Sequence, residues 1–269
     1  MGKIISIVNQ KGGVGKTTTT VNLGAALAIN KRKTLIIDFD QQANATLGLG
    51  INREDIFFDV VDFFTHIGLL KKAIINTDVE NLDLIPSSIR LSEIEETLYQ
   101  LDEKEYLLSK KLKLIKDQYD YILIDCPPSL GLLVDNALYA SDSVIIPVDS
   151  SYYSYNALTQ MLTKINRVQK HKKIEIEGIL ITKLDNRATL SYDIMEKVSE
   201  LFQDKLFKTT ITYSTHIQEA PMHGKSVIEF SENSRGAKEY KALALEIIEK
   251  EGWKNDRSYN NKHWWHNNI

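Results

Sequence analysis

The stretch NQKGGVGKTTTT, residues 9–20, has the residue types of a loop that binds phosphate groups. Residues 15–17 read Gly-Lys-Thr, which matches the end of the pattern found in nucleoside triphosphatases. The pattern also requires a glycine at position 10, where this chain has Gln10 followed by a second lysine, Lys11. The stretch therefore departs from the pattern by losing one glycine and gaining one positive charge.

Glycines and a lysine give this loop two ways to bind phosphate. The glycines let backbone N–H groups turn toward phosphate oxygens, and the positive end of the following helix faces the same anion. Lys16 is placed to reach the β- and γ-phosphates and to assist catalysis, and the Thr17 hydroxyl is placed to bind Mg²⁺. A glycine-rich turn with surface lysines is the alternative, but a strand pattern before the loop and a helix pattern after it favour the nucleotide site. We predict nucleotide contacts from Gly12, Gly13, Val14, Gly15, Lys16, Thr17 and Thr18.

A carboxylate suited to Mg²⁺ follows a second apolar run. YILIDCPPS, residues 121–129, reaches Asp125 after its apolar residues, which is the form of a Walker B element. We predict that Asp125 binds the metal through a water molecule. Capping of the next helix is the alternative role for an aspartate at this position.

Two more aspartates follow a third apolar run at alternate positions. In IIDFDQQANAT, residues 36–46, Asp38 and Asp40 share one face of the strand because side chains two apart point the same way. Hydrolysis requires a group that orients or deprotonates the attacking water. We predict this catalytic role for Asp40, which also lies within reach of the metal, and a supporting role in the metal shell for Asp38.

Strand-like apolar runs alternate with amphipathic helical stretches along most of the chain. This order is typical of a mostly parallel, twisted β-sheet with helices on both faces, and we predict a single α/β domain of that class. The predicted strands are 4–9, 34–40, 81–88, 119–128, 142–149, 176–185 and 206–212. The predicted helices are 16–30, 54–66, 91–118 with a break near Asp102, 130–139, 154–171, 189–203 and 236–250. Ligands bind such a sheet at the carboxyl ends of its strands, where the loop and the aspartates fall.

Composition narrows the classes of protein that fit. The 269 residues are 43% hydrophobic with a net charge of −3, so we expect a sizeable core and no global basic field for nucleic acid. A single cysteine, Cys126, excludes an internal disulfide and favours the cytoplasm, and no run approaches the ~20 apolar residues of a membrane-spanning helix. We predict a domain at 1–251 and a flexible tail at 252–269, rich in Asn and aromatic residues, for which a contact with a partner or membrane is the alternative.

Five motifs, in order, resemble the ParA/Soj family of partition ATPases, a group with an altered phosphate loop that also contains MinD. They are KGGVGKTT, DFDQQANAT, DCPPSLG, IPV and QEAPMHGKS, and the resemblance covers roughly residues 1–250. It implies an ATPase of weak intrinsic activity that uses ATP and Mg²⁺. It also implies an ATP-dependent homodimer, in which Lys11 crosses the interface to the partner's phosphates as a catalytic and nucleotide-binding residue. The small Gly12 would allow the second chain to come close.

The resemblance also implies partners. The ATP-bound dimer is expected to bind double-stranded DNA without sequence preference on the nucleoid, and a ParB-type centromere-binding protein is expected to stimulate hydrolysis. Relatives carry two arginines in a segment that reads TYSTHIQEAPM here, residues 212–222, and both are replaced. The remaining candidates for DNA binding are Arg187, Lys205, Lys208, Lys225, Arg235 and Lys238, with a separate basic run at 164–173. Each of these is also compatible with an ordinary solvated surface.

Relatives contact the adenine base with two further parts of the chain. Thr182 and Asp185, in TKLD, match one of them, and the loop QEAPMHGK with Pro221 is expected to close over the base. Thr182 is equally compatible with a buried hydroxyl at a strand end. Gln41 replaces the proline that relatives usually carry after the catalytic aspartate, which either loosens the loop or lets the glutamine position water.

Other classes of protein share this phosphate loop. A membrane-bound regulator of the MinD type needs a C-terminal amphipathic helix, and the tail shows no helical stripe of apolar residues. An ATP-dependent biosynthetic ligase of the same fold would couple ATP to a small carboxylic acid or amine. An iron–sulphur reductase needs at least two cysteines per chain, and this sequence has one.

Overall fold

A seven-stranded sheet organises the described part of the chain, which comprises residues 2–149, 151, 154–184 and 202–255 of a computed structural model. The strands are β1 (Lys3–Ile7), β2 (Thr34–Asp38), β3 (Ile75–Asn76), β4 (Leu82–Ile85), β5 (Tyr121–Asp125), β6 (Ser143–Asp149) and β7 (Glu175–Thr182). Their order across the sheet is β3-β4-β2-β5-β1-β6-β7, and neighbouring strands are parallel except β3 and β4. The predicted fold class is confirmed.

Helices cover both faces of this sheet. They are α1 (Lys16–Ile29), α2 (Asn44–Gly48), α3 (Val60–Thr65), α4 (Arg90–Leu98), α5 (Leu107–Leu112), α6 (Leu132–Ala140), α7 (Ser154–Gln169), α8 (Thr215–Glu219), α9 (Val227–Phe230) and α10 (Arg235–Asn255). Strand side chains alternate between two cores: Ile5 and Ile7 pack with α1 and α10, and Ile4 and Val8 pack with α6 and α7. Because both faces are covered, the central strands are apolar along most of their length, which is the pattern the sequence showed.

The strand predicted at 206–212 is wrong. This segment forms only isolated bridges, from Leu206 to β7 and from Thr212 to Leu184 beyond the end of β7, and the N–H groups of Phe207 and Ile211 donate to β7. Between them, the backbone N–H groups of Lys208 and Thr209 donate to the Glu246 carboxylate at 2.9 and 3.0 Å. A side chain of α10 therefore takes the donors in the middle of the segment, and no continuous strand forms.

The predicted helices match the observed helices better in position than in length. The helix predicted at 54–66 begins only at Val60, where the Asp59 side chain caps it. The stretch at 91–118 forms α4, a short 3₁₀ turn and α5 rather than two long helices. The helix predicted at 189–203 lies almost wholly outside the described residues.

The last helix continues past the predicted end of the domain. α10 runs through Gly252 to Asn255, and the remainder of the tail, residues 256–269, lies outside the described residues. The flexible tail therefore stays a prediction. Within the described ranges, no helix is both long enough and apolar enough to cross a membrane.

Candidate functional site

The phosphate loop and the aspartates meet at the carboxyl ends of three adjacent strands. β5 lies between β1 and β2 in the sheet. In the strand register, Asp125 at the end of β5 pairs with Ile7 of β1 and with Asp38 of β2. Because these strands are parallel, the loop that follows β1 and the loop that follows β2 leave the sheet at the same edge. The fold therefore brings the predicted phosphate, metal and catalytic residues to one place.

Two glycines give the phosphate loop its shape. Gly13 and Gly15 have φ angles of 74° and 88°, in the left-handed region that favours glycine. α1 begins directly after the loop, at Lys16, so the N–H groups of its first turn face the loop. A Cβ at Gly12 would meet no described atom within 4 Å, so nothing in the described chain itself requires glycine there.

The Lys16 side chain is folded into the loop. Only 6% of the residue is exposed, and Nζ donates to the backbone oxygen of Lys11 at 3.0 Å. Burial lowers the pKa of Lys16, and the nearby negative charges, Asp125 foremost among them, oppose that shift. A cation is therefore held at the loop before any nucleotide arrives.

Asp125 has a buried carboxylate oxygen with no hydrogen-bond partner among the described residues. Its Oδ1 accepts from the Thr20 hydroxyl at 3.2 Å, whereas Oδ2 accepts from no described group. Burial, together with repulsion from Asp38, raises the pKa of Asp125, while the nearby Thr17 side chain opposes the rise. Carboxylate and hydroxyl oxygens are the ligands that Mg²⁺ prefers. Asp40 is close enough to act electrostatically on Asp125, and the oxygens of Thr17, Asp40 and Asp125 are of the kind that suits Mg²⁺. Their binding of the metal stays a prediction.

Asp38, which ends β2, and Asp40, which follows it, both accept hydrogen bonds from their own loop. Asp38 is fully buried, and its two oxygens accept from Thr46 and from the backbone N–H of Asp40, at 2.7 to 3.3 Å. The Asp38 carboxylate therefore anchors this loop, and its predicted supporting role in the metal shell stays a prediction. Among the described hydrogen bonds, the Asp40 carboxylate accepts only from the backbone N–H of Gln42, at 3.0 Å, and the residue is 8% exposed.

A cavity of about 270 Å³ opens beside the phosphate loop. It brings together Gly15, Thr18, Thr182 and Pro221, four of the residues predicted to contact the nucleotide. The Thr182 hydroxyl donates to the backbone oxygen of Val14 at 2.8 Å, so it also fixes the phosphate loop. The cavity is further lined by Lys183, Ile211, Thr212, Tyr213, Ser214, Ile217, Gln218 and Tyr240. Asp185 lies outside the described residues.

The second lysine of the loop is held by its own chain. Lys11 Nζ contacts both oxygens of Asp149 at 2.8 Å and the Ser154 hydroxyl at 3.1 Å, and also contacts the Ser151 hydroxyl. Burial alone would raise the pKa of Asp149, but hydrogen bonds from Lys11 and the two serines outweigh it and lower that pKa. Asp149 ends β6, the strand next to β1. In the single chain, Lys11 is therefore already paired with a carboxylate.

The basic residues predicted to bind DNA have mixed surroundings. Arg235 pairs with Glu239 at 2.9 Å, and Lys205, Lys225 and Lys238 are exposed, as is Lys208. Arg187 lies outside the described residues. In the basic run, Lys164 pairs with Asp135 and Lys172 donates to two backbone oxygens at the end of α6. Two members of that run are therefore used within the fold.

Known proteins resemble this chain over most of its length. A family model described as an AAA domain matches residues 2–178. The sporulation initiation inhibitor protein Soj of Bacillus subtilis is 49% identical over 92% of this chain and 98% of its own length. The chromosome-partitioning ATPase Soj of Treponema pallidum is 41% identical over 94% of this chain and 99% of its own. The chain belongs to the ParA/Soj family.

The fold of this ParA/Soj chain is shared with a biosynthetic enzyme. The cobyrinic acid a,c-diamide synthase of Mycobacterium smegmatis, solved with a bound ATP analogue and magnesium, has a TM-score of 0.82 and 29% identity over 98% of this chain and all of the other. The fold alone therefore does not separate a partition ATPase from a ligase. The higher identity to the two Soj proteins does favour the partition family.

The sequence patterns of this ParA/Soj chain did not single out two residues that contact the candidate site, Asp149 and Thr46. Asp149 directly follows the apolar run VIIPV, as Asp125 directly follows YILI, so its place at a strand end marks it as a candidate site residue, although it does not identify Lys11 as its partner. Thr46, which holds Asp38, carries no such signal. Its contact with Asp38 depends on how the loop after β2 folds back, and periodicity does not show that path.

Proposed function

We propose that this chain is a slow, Mg²⁺-dependent partition ATPase, in which ATP joins two copies into a sandwich dimer and hydrolysis separates them. The observation that carries the proposal is the second lysine of the phosphate loop, Lys11, in a chain 49% identical to a Soj protein. A relative named as a chromosome-partitioning ATPase supports the same activity. In this proposal the protein works in the cytoplasm, on the nucleoid.

The proposed reaction is the attack of water on the γ-phosphorus of ATP. A bond forms from the water oxygen to that phosphorus, the bond to the bridging oxygen breaks, and ADP and phosphate leave. Asp40 orients the water and accepts its proton, while Lys16 offsets negative charge on the phosphates. Bound Mg²⁺ would offset further charge there, and Thr17 and Asp125 are the residues that would hold it, with Asp40 in reach.

The cavity beside the loop is the proposed site for the adenine base. Thr182 and Pro221 lie on its wall, and Gly15 connects it to the phosphate loop. Asp185, one residue beyond the described segment, stays a proposed contact. A base in this cavity would have its phosphates directed at the N-terminus of α1.

Dimerisation is the proposed output of ATP binding. Two ATP molecules facing each other repel, and a lysine from each chain placed on the partner's phosphates removes that repulsion. Lys11 carries the charge for this role, and Gly12 beside it is open toward solvent, with no described atom near its missing Cβ. To cross the interface, Lys11 must leave Asp149.

Replacing Asp40 with alanine is expected to trap the ATP-bound dimer. The phosphate-binding residues stay intact, but the group that positions water is lost, so kcat should fall by about 100-fold or more. Gel filtration in ATP would show a dimer that persists, while the wild-type protein returns to monomer as ATP is consumed. Asp55→Ala, at an exposed aspartate on the 3₁₀ turn at 53–55, is the matched control. Hydrolysis at the normal rate by Asp40→Ala would assign the role to another residue.

DNA binding by the dimer is expected to require ATP and to weaken steeply with salt. Each lysine or arginine that meets a phosphate releases a counterion, so log K should fall with log salt by about 0.9 per contact, and a dimer doubles the contacts. The proposed contacts are Lys205, Lys208, Lys225, Arg235, Lys238 and Arg187. Fluorescence anisotropy with a non-specific duplex, in ATP, ADP and no nucleotide, measures this. Equal binding without nucleotide, or a salt-insensitive complex, contradicts the proposal.

A second assay separates partition from biosynthesis. If the proposal is correct, ATP turnover rises with DNA and a centromere-bound ParB-type partner and needs no small-molecule acceptor. Turnover that requires a small carboxylic acid or amine would favour the ligase instead, in line with the shared fold of the diamide synthase. ATP-dependent binding to anionic liposomes would favour a MinD-like role.

A further inference from the structure

Thr46 connects three separate parts of the site. Thr46 is fully buried. Its backbone N–H and its hydroxyl both donate to the same oxygen of Asp38, Oδ2, at 2.8 and 2.7 Å. The Thr46 oxygen in turn accepts from the backbone N–H of Ser87 at 3.0 Å. Since Ser87 follows β4 and Asp38 ends β2, one hydroxyl ties two neighbouring strand ends to α2.

The direction of these hydrogen bonds is fixed by their chemistry. The Ser87 N–H can only donate, so the Thr46 oxygen accepts there and its single proton is left for the Asp38 carboxylate. Two donors on one carboxylate oxygen set the rotation of the Asp38 side chain. Its other oxygen then faces the backbone N–H of Asp40, at 3.3 Å.

Asp40 is thereby held from both sides. Its backbone N–H donates to the Asp38 carboxylate. Its Oδ1 accepts from the N–H of Gln42 at 3.0 Å, and its backbone oxygen accepts from the N–H of Ala43 at 2.9 Å. α2 starts at Asn44, directly after this turn, and carries Thr46 back to Asp38. The turn that contains Asp40 is therefore closed by the Thr46–Asp38 contact.

We propose that Thr46 is a positioning residue for ATP hydrolysis: through Asp38, its hydroxyl holds the turn that places Asp40 against the attacking water. The inference rests on the proposed ATPase function. Thr46 touches neither nucleotide nor water in this role, so its loss should slow the chemical step without weakening ATP binding. A misplacement of about 1 Å in a catalytic group costs on the order of 100-fold in rate.

The test compares Thr46→Val, which keeps the shape and removes the hydroxyl, with Thr46→Ser, which keeps the hydroxyl. For the valine variant we expect kcat to fall by about 10- to 100-fold, with the Kd for a fluorescent ATP analogue within about 3-fold of wild type. The serine variant should stay within about 3-fold in both quantities, because its hydroxyl makes the same bonds. Thr34→Val is the matched control: Thr34 is also buried, at the other end of β2, and its hydroxyl donates to Arg32 O at 2.9 Å. This control should lose stability but keep its kcat.

Several results would overturn the proposed role of Thr46. A normal kcat in Thr46→Val overturns the inference, as does a loss of ATP affinity parallel to the loss of kcat, which would indicate general disorder of the site. An equal fall of kcat in Thr34→Val would assign the effect to stability alone. If the valine variant does not fold, Thr46→Cys replaces it, and its weaker donor should leave kcat below that of the serine variant. Absence of ATP hydrolysis in the wild-type protein would instead refute the proposed function itself.

Discussion

Replacing Lys16 with alanine is expected to abolish ATP binding. Lys16 is the cation held inside the phosphate loop, 6% exposed, with its amine on the loop's own backbone oxygen. Its removal leaves the β- and γ-phosphates without their nearest positive charge and leaves the Lys11 oxygen without its donor. Truncating one member of a buried charged pair costs about 2–5 kcal/mol, which corresponds to a Kd weakened by roughly 30- to 5,000-fold.

Isothermal titration with a non-hydrolysable ATP analogue measures the effect of Lys16→Ala. Lys173→Ala is the matched control, because the Lys173 side chain is 90% exposed and pairs only loosely with Glu175, at 3.5 Å. The control should bind ATP as the wild type does. Tight ATP binding by Lys16→Ala would show that the nucleotide does not occupy this loop.

Replacing Lys11 with alanine is expected to leave ATP binding in place and to abolish dimerisation. The backbone oxygen of Lys11, which holds Lys16, remains in the variant, whereas the amine that neutralises the partner's phosphates is lost. Asp149→Asn should act in the opposite direction, because it weakens the contact that keeps Lys11 on its own chain at 2.8 Å. We expect the protein concentration for half-dimerisation in ATP to fall by about 3- to 10-fold in Asp149→Asn, a change of up to about 1.4 kcal/mol.

Sedimentation velocity in saturating ATP analogue distinguishes these two variants. Lys11→Ala should sediment as a monomer at concentrations where the wild type is a dimer, and Asp149→Asn as a dimer at lower concentrations than the wild type. A dimer of normal affinity in Lys11→Ala would remove this lysine from the interface. Weaker dimerisation in Asp149→Asn would mean that Asp149 supports the dimer rather than competing with it.

The sheet was predictable because its central strands are buried on both faces. A run such as YILI, residues 121–124, packs on both faces of the sheet, and its unbroken hydrophobic character is visible without any knowledge of neighbouring strands. Elements that depend on tertiary contacts were not predictable in the same way. The segment at 206–212 has strand composition, but Glu246 takes the N–H groups of its two middle residues, Lys208 and Thr209. β3 has two residues and α2 has five, too few for a periodic pattern.

The residues of the candidate site show the same difference between local sequence patterns and tertiary contacts. The phosphate loop and Asp125 can be identified from the sequence alone, because their chemistry needs particular residue types at fixed places along the chain. Asp149, the partner of Lys11, cannot be identified in this way. It lies 138 residues further along the chain and meets the loop only because β6 lies next to β1. The order of strands in the sheet, which periodicity leaves open, places Asp149 there. The contact between Thr46 and Asp38 was not visible in the sequence for a similar reason.

The most direct test of the central claim is a crystal structure of the Asp40→Ala variant with ATP and Mg²⁺. The claim is that Lys11 leaves Asp149 and binds the triphosphate of a second copy. We expect two chains facing each other across their nucleotides, with each Lys11 amine ~2.7–2.9 Å from oxygens of the partner's phosphates. A structure of the ATP-bound protein in which Lys11 remains on Asp149, or extends into solvent, would contradict it.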